Sequence, residues 1–587
     1  MMFPLKQGVF LFIFFQLNLF AQEVKFEFKK NQEFPIQGNQ KRRYRVNLEK
    51  GELFQLQLLQ KDVDIQILAI SQNNDTIQKF DSPNGNNGLE IVELSIKKEG
   101  TYFFEVGPII PKRFTDSIKK KYINDINGSY LVSDYKVFSP VEYSKLLITR
   151  KAKKDSVIRW IKDRSINIKN VKAETGFKDL KYLEPILKDV QIVGLGETSH
   201  GSKEVFQIKH RILEFLVKKM GFTVFAIEAS HIGCQSINDY VLHGKGNSRD
   251  ALTEQGFWIW NTEEVLDMIE WIRNYNISVP KENKVSFIGI DNQMVGLNSA
   301  YKRIGNFIRN TKTKNKRLLK IDVDSLFVGL RDKPDRNDMS LYRQNLNELL
   351  SYLTLNKAKL IHQTSKHQHD RVIKDLTKII QGVEVADRRY RKTFDFNIRD
   401  EYMSQAVLDI LQNGNPEVKI VLWAHNTHIS KNAKTIITGK PGSLGSILKN
   451  LMNEQYYAIG FSTNQGSFRA MNFNAKERKY DKNAIFKLPP AKEESLDWYF
   501  AQTNKDIFFI DFINLSPTKT ISTFLEKKRK AYLSGSSWSL DYGISPAFDI
   551  SPGKCFDGMI FIKETSHSIL TPDGEKEIIK RVANNKH

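Results

Sequence analysis

Glutamate and histidine fall three residues apart in the stretch VGLGETSHGSKEVFQIKHRILEFL, Val193 to Leu216, at the join between an apolar run and an amphipathic one. A histidine at such a strand-to-helix turn feels the positive end of the helix dipole, which disfavours its protonation. His200 is therefore expected to stay neutral near pH 7 and to accept a proton, which is what a general base must do. Further on, WAHNTHI carries His425 and His428 directly after an apolar run. In the turn beyond a strand both can face one cleft and donate to a developing oxyanion. Glu228 closes FAIEAS, and a carboxylate ending a buried strand needs a partner or a proton. Its expected role is to orient or polarise a histidine. Asp291 in FIGIDNQ has the same placement, with a helix N-cap as the competing reading. Lys209 sits beside the apolar stripe Val205, Ile208, Ile212, Phe215 and Leu216, where its amine can clamp a substrate or snorkel at the helix margin. The expectation is catalysis by His200, Glu197, Glu228, His425 and His428 and substrate binding by Lys209 and Asp291, with no metal and no cofactor. The histidines of HQTSKHQHD, His362, His367 and His369, read as a solvated helix face. GLG lacks the remaining signals of a dinucleotide fingerprint.

These residues need a scaffold that brings them to one edge. Five apolar runs, VQIVGLG, FTVFAIEAS, KVSFIGID, VKIVLWAH and YYAIGF, alternate with amphipathic segments. That pattern predicts an α/β fold, a mostly parallel sheet covered by helices on both faces. Ligands bind such sheets beyond the carboxyl ends of the strands, and each titratable group named above ends or follows one of these runs. DIFFIDF and FDGMIFIKE are expected to complete the sheet edge. A charged helical insertion at about 297–411 reads as a lid. Upstream, RYRVNL, LFQLQLL, VDIQILAI, LEIVELSI, TYFFEV and YLVSDYKVF alternate with period two between turn residues, which predicts a small antiparallel β-sandwich. The expected domains are a signal peptide at 1–21, the sandwich at 22–138 and the α/β domain at 139–587. Serines 199 and 202 are the candidate N-caps of the helix after His200.

The first residues, MMFPLKQGVFLFIFFQLNLFAQ, have an early lysine, an apolar core and a small residue at the cut. They read as an export signal cleaved after Ala21, too short to span a bilayer, so a periplasmic or secreted location is expected. The formal net charge of +22 is spread along the chain, which suits a solubilising surface with some attraction to phosphate-rich envelopes rather than a nucleic-acid partner. Cys234 and Cys555 are the only cysteines, and nothing in the sequence fixes their separation.

Taken together, GLGETSHGSKEVFQIKHRILEFLVKKMGFTVFAIEAS, WIWNTEEVLDMIEWIRNYN, FIGIDNQ, IRDEYMSQAV and VLWAHNTHI resemble the erythromycin esterase family. The upstream strands resemble the pre-peptidase C-terminal type of sandwich. The resemblance implies hydrolysis of an ester, in the named case a macrolide lactone, by a histidine base without a metal. It places the base at His200, with Glu197, Glu228, His425 and His428 around it. Lys209 stands where macrolide-active members carry arginine, keeping the charge but not the bidentate fork. The expected function is an exported hydrolase of a carboxylic ester or lactone. Two alternatives keep the same residues: a zinc- or manganese-dependent hydrolase, and a non-catalytic binding protein for a porphyrin or glycan.

Overall fold

The structure is a computed structural model that describes residues 29–584 except 83–85, 111–115, 312–335, 391–395, 414–416, 433, 435, 437–441, 475–478, 514–516 and 540–546. The expected export signal, 1–21, lies outside the described residues. Two compact units meet in the chain between Lys154 and Asp155.

Unit one is built from strands that alternate buried and exposed side chains. β1 (Glu33–Gln37), β2 (Arg42–Leu48), β3 (Leu53–Lys61), β4 (Ile65–Ser71), β5 (Thr76–Phe80), β6 (Gly88–Ser95), β7 (Gly100–Pro108) and β8 (Asn127–Phe138) form two antiparallel sheets, ordered β1-β8-β3-β6 and β2-β7-β4-β5. Leu56, Leu58, Ile65, Ile67, Val92, Phe104 and Val132 fill one core between them. The expected sandwich is present, with two strands the periodicity did not show. β1 alternates too, with Phe34 and Ile36 buried, but is only five residues long with a proline inside it, and β5 is exposed or nearly so along its length and shows no alternation. β8 ends at Phe138, and the helix Pro140–Arg164 that follows carries the division between the units within it; Arg150 on its first half pairs with Glu93 of β6.

Unit two holds β9 (Ile166–Asn167), β10 (Ile192–Leu195), β11 (Val224–Ser230), β12 (Ser286–Asp291), β13 (Ile420–Trp423), β14 (Tyr456–Asn474), β15 (Lys479–Leu488), β16 (Ile507–Asp511), β17 (Arg529–Tyr532), β18 (Ser537–Trp538), β19 (Ala547–Ile550) and β20 (Gly558–Thr565). The main sheet runs β12-β11-β13-β10-β14-β20-β16-β9, with β15 and β18 paired to β14. The pairings from β12 to β20 are parallel, and those of β16 with β20 and β9 are antiparallel. Every residue of β10, β11 and β13 is buried, because helices cover both faces. Along β11, Phe225, Ile227 and Ala229 join one core, while Val224 and Ala226 join the core on the other face. The five apolar runs are β10 to β14, as the sequence predicts, and β20 takes an inner position between β14 and β16.

The insertion divides into two parts with different partners. Helices Asn298–Asn310, Arg336–Leu355 and Lys366–Tyr390 build a core of their own through Ile304, Leu349, Leu376 and Ile379. Helix Phe396–Asn413 instead packs Met403, Ala406 and Val407 onto the main sheet, so the last part of the expected lid is a covering helix. His369 departs from the solvated reading: it is buried, with Nε2 on the Leu353 carbonyl at 3.0 Å and its ring against Phe307. No helix among the described residues is long and apolar enough to cross a membrane.

One side chain joins β13's end to β14. Asn426 is fully buried; its amide donates to the Phe461 carbonyl at 2.8 Å and its Oδ1 accepts from the Phe461 N–H at 3.0 Å. Gly196 is required beside it, since a Cβ there would lie 2.0 Å from Asn426 Oδ1. Asn426→Ala strands two buried backbone groups, at a cost of about 2–4 kcal/mol. All seven tryptophans lie beyond Asp155, so urea unfolding followed by tryptophan fluorescence reads this unit alone; an unchanged midpoint would contradict the expectation.

Candidate active site

Glu197 follows β10 and is wholly buried. A carboxylate there must be neutralised by its neighbours, and three donors converge on it. His200 Nδ1 lies 2.5 Å from Oε1, while Lys209 Nζ and the Trp423 indole N–H each donate to Oε2 at 2.7 Å. Burial pushes the Glu197 carboxyl up, and Lys209 and His200 outweigh it, holding the group below its ordinary value. Burial pulls the Lys209 amine down to about 8 against the opposing pull of Glu197. The amine also lies 4.2 Å from the centre of the Trp423 ring, a cation–π contact. Lys209 is therefore fully enclosed and spent on Glu197, not placed as a clamp on substrate.

His200 precedes the helix Lys203–Met220, whose N-cap position is Ser202, without a side-chain capping bond. Ser199 Oγ accepts from the Gly201 N–H instead. The contact with Glu197 assigns the Nδ1 proton, so Nε2 carries the lone pair. Among the described residues Nε2 has no hydrogen-bond partner, and the His200 side chain keeps 11% of its surface exposed. The Glu197 carboxylate thus fixes which ring nitrogen carries a proton, which the helix dipole alone does not. Gly201 approaches the β14 backbone so closely that a Cβ would meet the Arg469 carbonyl oxygen at 2.0 Å.

The other strand ends meet here. The His200 and His425 ring centres are 5.1 Å apart, and Trp260 stands edge-on to His200 at 5.4 Å. His425 has neither nitrogen to spare: Nδ1 accepts from the Thr427 N–H at 3.3 Å and lies 2.9 Å from its hydroxyl, and Nε2 donates to the Ser534 carbonyl at 3.1 Å. Burial, with His200 close by, pulls its pKa down to about 3. Glu228 accepts the His425 backbone N–H at 2.9 Å and Arg399 Nη2 at 2.7 Å. Arg399 also binds Asp291 through Nε at 3.1 Å and Nη2 at 2.7 Å. Asp291, 1% exposed, is an anchor for that guanidinium and not an open substrate contact.

His428 is bound through Nδ1 to Asp400 at 2.5 Å, with Nε2 3.3 Å from Glu228 and 3.1 Å from Arg399 Nη1. Burial opposes its charge, but Asp400 and Glu228 prevail and raise its pKa to about 10. A charged His428 directs its Nε2–H at Glu228, because Arg399 is itself only a donor. His428 and Arg399 hold the Glu228 carboxyl well below its ordinary value against the upward push of burial.

Arg399 and Asp400 escaped the sequence reading because they lie inside the presumed lid. A signal existed: Arg399 falls four residues before Met403 on the buried stripe of its helix. The Trp423 indole and the Ser534 carbonyl carried no signal, since one reads as core and the other is backbone. No group of three or more His, Cys, Asp or Glu among the described residues is placed to hold a metal ion; the potential ligands are engaged with Lys209, Arg399, Asp400 and Ser534 instead. Cys234 and Cys555 are buried free thiols.

Residues 217–565 match the model of the erythromycin esterase family. The chain belongs to that family. The matched residues include Glu228, Asp291, Arg399, His425 and His428, and begin just after Glu197, His200 and Lys209. Erythromycin esterase type II of Escherichia coli is 28% identical over 384 residues, spanning 60% of this chain and 88% of that protein. A putative hydrolase of Bacillus subtilis, YbfO, is 21% identical over 376 residues, spanning 60% and 81%. Among solved structures, a Bacillus cereus protein of 27% identity superposes with a TM-score of 0.59 over 71% of this chain and 99% of its own. The erythromycin esterase EreC, as a mutant in its open conformation, gives 0.52 at 17% identity over 68% and 97%. This α/β unit is therefore a family hydrolase by sequence and by fold.

His428 holds its proton more tightly folded than unfolded, so its contribution to stability is complete below about pH 6.5 and drains away as pH rises toward 10. Asp400→Asn should flatten that decline between about pH 7 and 9 in urea titrations. Lys209, lowered to about 8, acts with the opposite sign at high pH and is common to both chains, so the difference isolates His428. A variant whose stability falls as steeply as the parent's would refute the assignment.

Proposed function

We propose that this hydrolase cleaves a carboxylic ester or lactone with His200 as the general base. The observation that carries the reading is the asymmetry of His200: Nδ1 is held by a charged, buried carboxylate, and Nε2 has no hydrogen-bond partner among the described residues. A water at Nε2 would give up a proton as its oxygen attacks the ester carbonyl. The imidazolium formed is paired at once with Glu197, whose charge Lys209 and Trp423 keep in place. The tetrahedral oxyanion then collapses, and His200 returns the proton to the leaving alkoxide, so water and ester become acid and alcohol.

The residues supporting this chemistry differ in part from those expected. His425 has no free nitrogen to donate, and its role is to pack against His200. Positive charge at the rim comes from His428 and Arg399, and Nη1 of Arg399 retains donor capacity beyond its contact with His428. Such fixed charges stabilise the oxyanion without reorganisation. The macrolide lactone of the named relatives is one member of the ester panel on which the enzyme is to be assayed.

His200→Ala should lower kcat/KM on any ester turned over by about 10²- to 10⁴-fold in a chain that still unfolds cooperatively, at a lower midpoint because Glu197 loses one of its three donors. Turnover at the parent rate would end the assignment. We also place the protein outside the cytoplasm; Edman sequencing of the mature chain from a periplasmic or culture fraction should start at Gln22, and an intact Met1 there would argue against cleavage.

A further inference from the structure

Helices lying beside a sheet normally turn an apolar stripe toward it. The helix Lys366–Tyr390 does not. Its apolar row, Val372, Leu376, Ile379 and Val383, is spent on the helices Asn298–Asn310 and Arg336–Leu355. Another row, Arg371, Lys374, Lys378 and Gln381, recurs at three- and four-residue spacing and lines a groove beside the edge strand β12. The groove has a larger compartment of about 850 Å³ and a smaller one of about 210 Å³, joined at His231, Ile288 and Lys374. The larger falls within the size range of small-molecule sites. Its apolar lining comes from Val224, Ile288, Ala406, Ile410 and Val418.

The charges in this groove are poorly matched. Lys378 is 5% exposed, yet among the described residues its amine has no hydrogen bond or ion pair. Arg371 Nε is likewise buried without an acceptor. Asp409 and Glu282 are the acidic side chains lining the larger compartment, and Asp409 Oδ1 is occupied by the Gln405 amide at 2.8 Å. The other buried lysine among the described residues is paired directly, Lys209 with Glu197 at 2.7 Å. A desolvated ammonium without a directly paired counter-charge is costly, and here open volume adjoins it. Burial accordingly pulls the Lys378 amine below its ordinary value, with Asp409 opposing.

We propose that this groove binds an anionic amphiphile, with a carboxylate or phosphate head on Lys378 and Lys374 and an apolar tail along Val224, Ile288, Ala406 and Ile410. The site shares no lining residue with the Glu197 and His200 cluster, and it does not rest on the hydrolytic reading. Arg371 extends the positive row into the smaller compartment and leaves room for a branched or doubly charged head.

Calorimetric titration of the full chain with dodecanoate, dodecyl phosphate, dodecanol and inorganic phosphate tests this. Both tailed anions should saturate one site, and dodecanol and inorganic phosphate should bind at least about tenfold more weakly. The stronger of the two tailed anions identifies the head group. Lys374→Met/Lys378→Met should lose at least about tenfold in affinity for both, with an unfolding midpoint equal to or above the parent's. Should the double variant fail to fold, Lys378→Gln carries the same expectation. Absence of saturable binding by either tailed anion, undiminished binding by the variants, or inorganic phosphate binding as tightly as dodecyl phosphate would each overturn the proposal.

Discussion

A single enclosed carboxylate organises the catalytic half of this protein. Glu197 has no access to water, so its charge persists only because His200, Lys209 and Trp423 all spend a donor on it. Those donors come from a turn, a helix and a strand, and none of them is free to move without stranding the charge. Breaking such a buried pair from one side costs about 3–5 kcal/mol, which makes the imidazole orientation a consequence of folding. The base is thereby presented with one nitrogen fixed and the other open.

A second charge network crosses from the sheet to the covering helix. Arg399 binds Asp291 at the end of β12 and Glu228 at the end of β11, and Asp400 beside it binds His428 after β13. The helix Phe396–Asn413 thus brings its charge to three strand ends while its apolar stripe packs below them. Stability and electrostatics at the rim depend on the same residues. Because Glu228 also accepts the His425 backbone N–H, the two networks are linked through the turn after β13.

The basic row of the helix Lys366–Tyr390 follows a different logic. Where Lys209 is enclosed with its counter-charge, Lys378 is enclosed beside open volume. The contrast within one chain separates a lysine that holds the fold together from one left to meet something else.

Much of the α/β unit was legible from residue order alone. Parallel strands covered on both faces must be apolar throughout, so β10 to β14 announced themselves as runs, and the polar residues closing them marked one edge. The family blocks lay in the same places. Sandwich strands with one wet face were legible by alternation, while β5 was not, because an exposed strand buries too little to leave a period, and β1, with only Phe34 and Ile36 turned inward, is too short for its alternation to stand out. Periodicity could not show which nitrogen of His200 is free, that His425 is fully engaged, or that Lys209 and Asp291 serve other side chains. Nor could it separate the helix of Arg399 and Asp400 from the rest of the insertion. Local pattern records which face of an element is buried; the partners of a buried charge are set by elements far away in the chain, and only the assembled fold brings them within hydrogen-bonding distance.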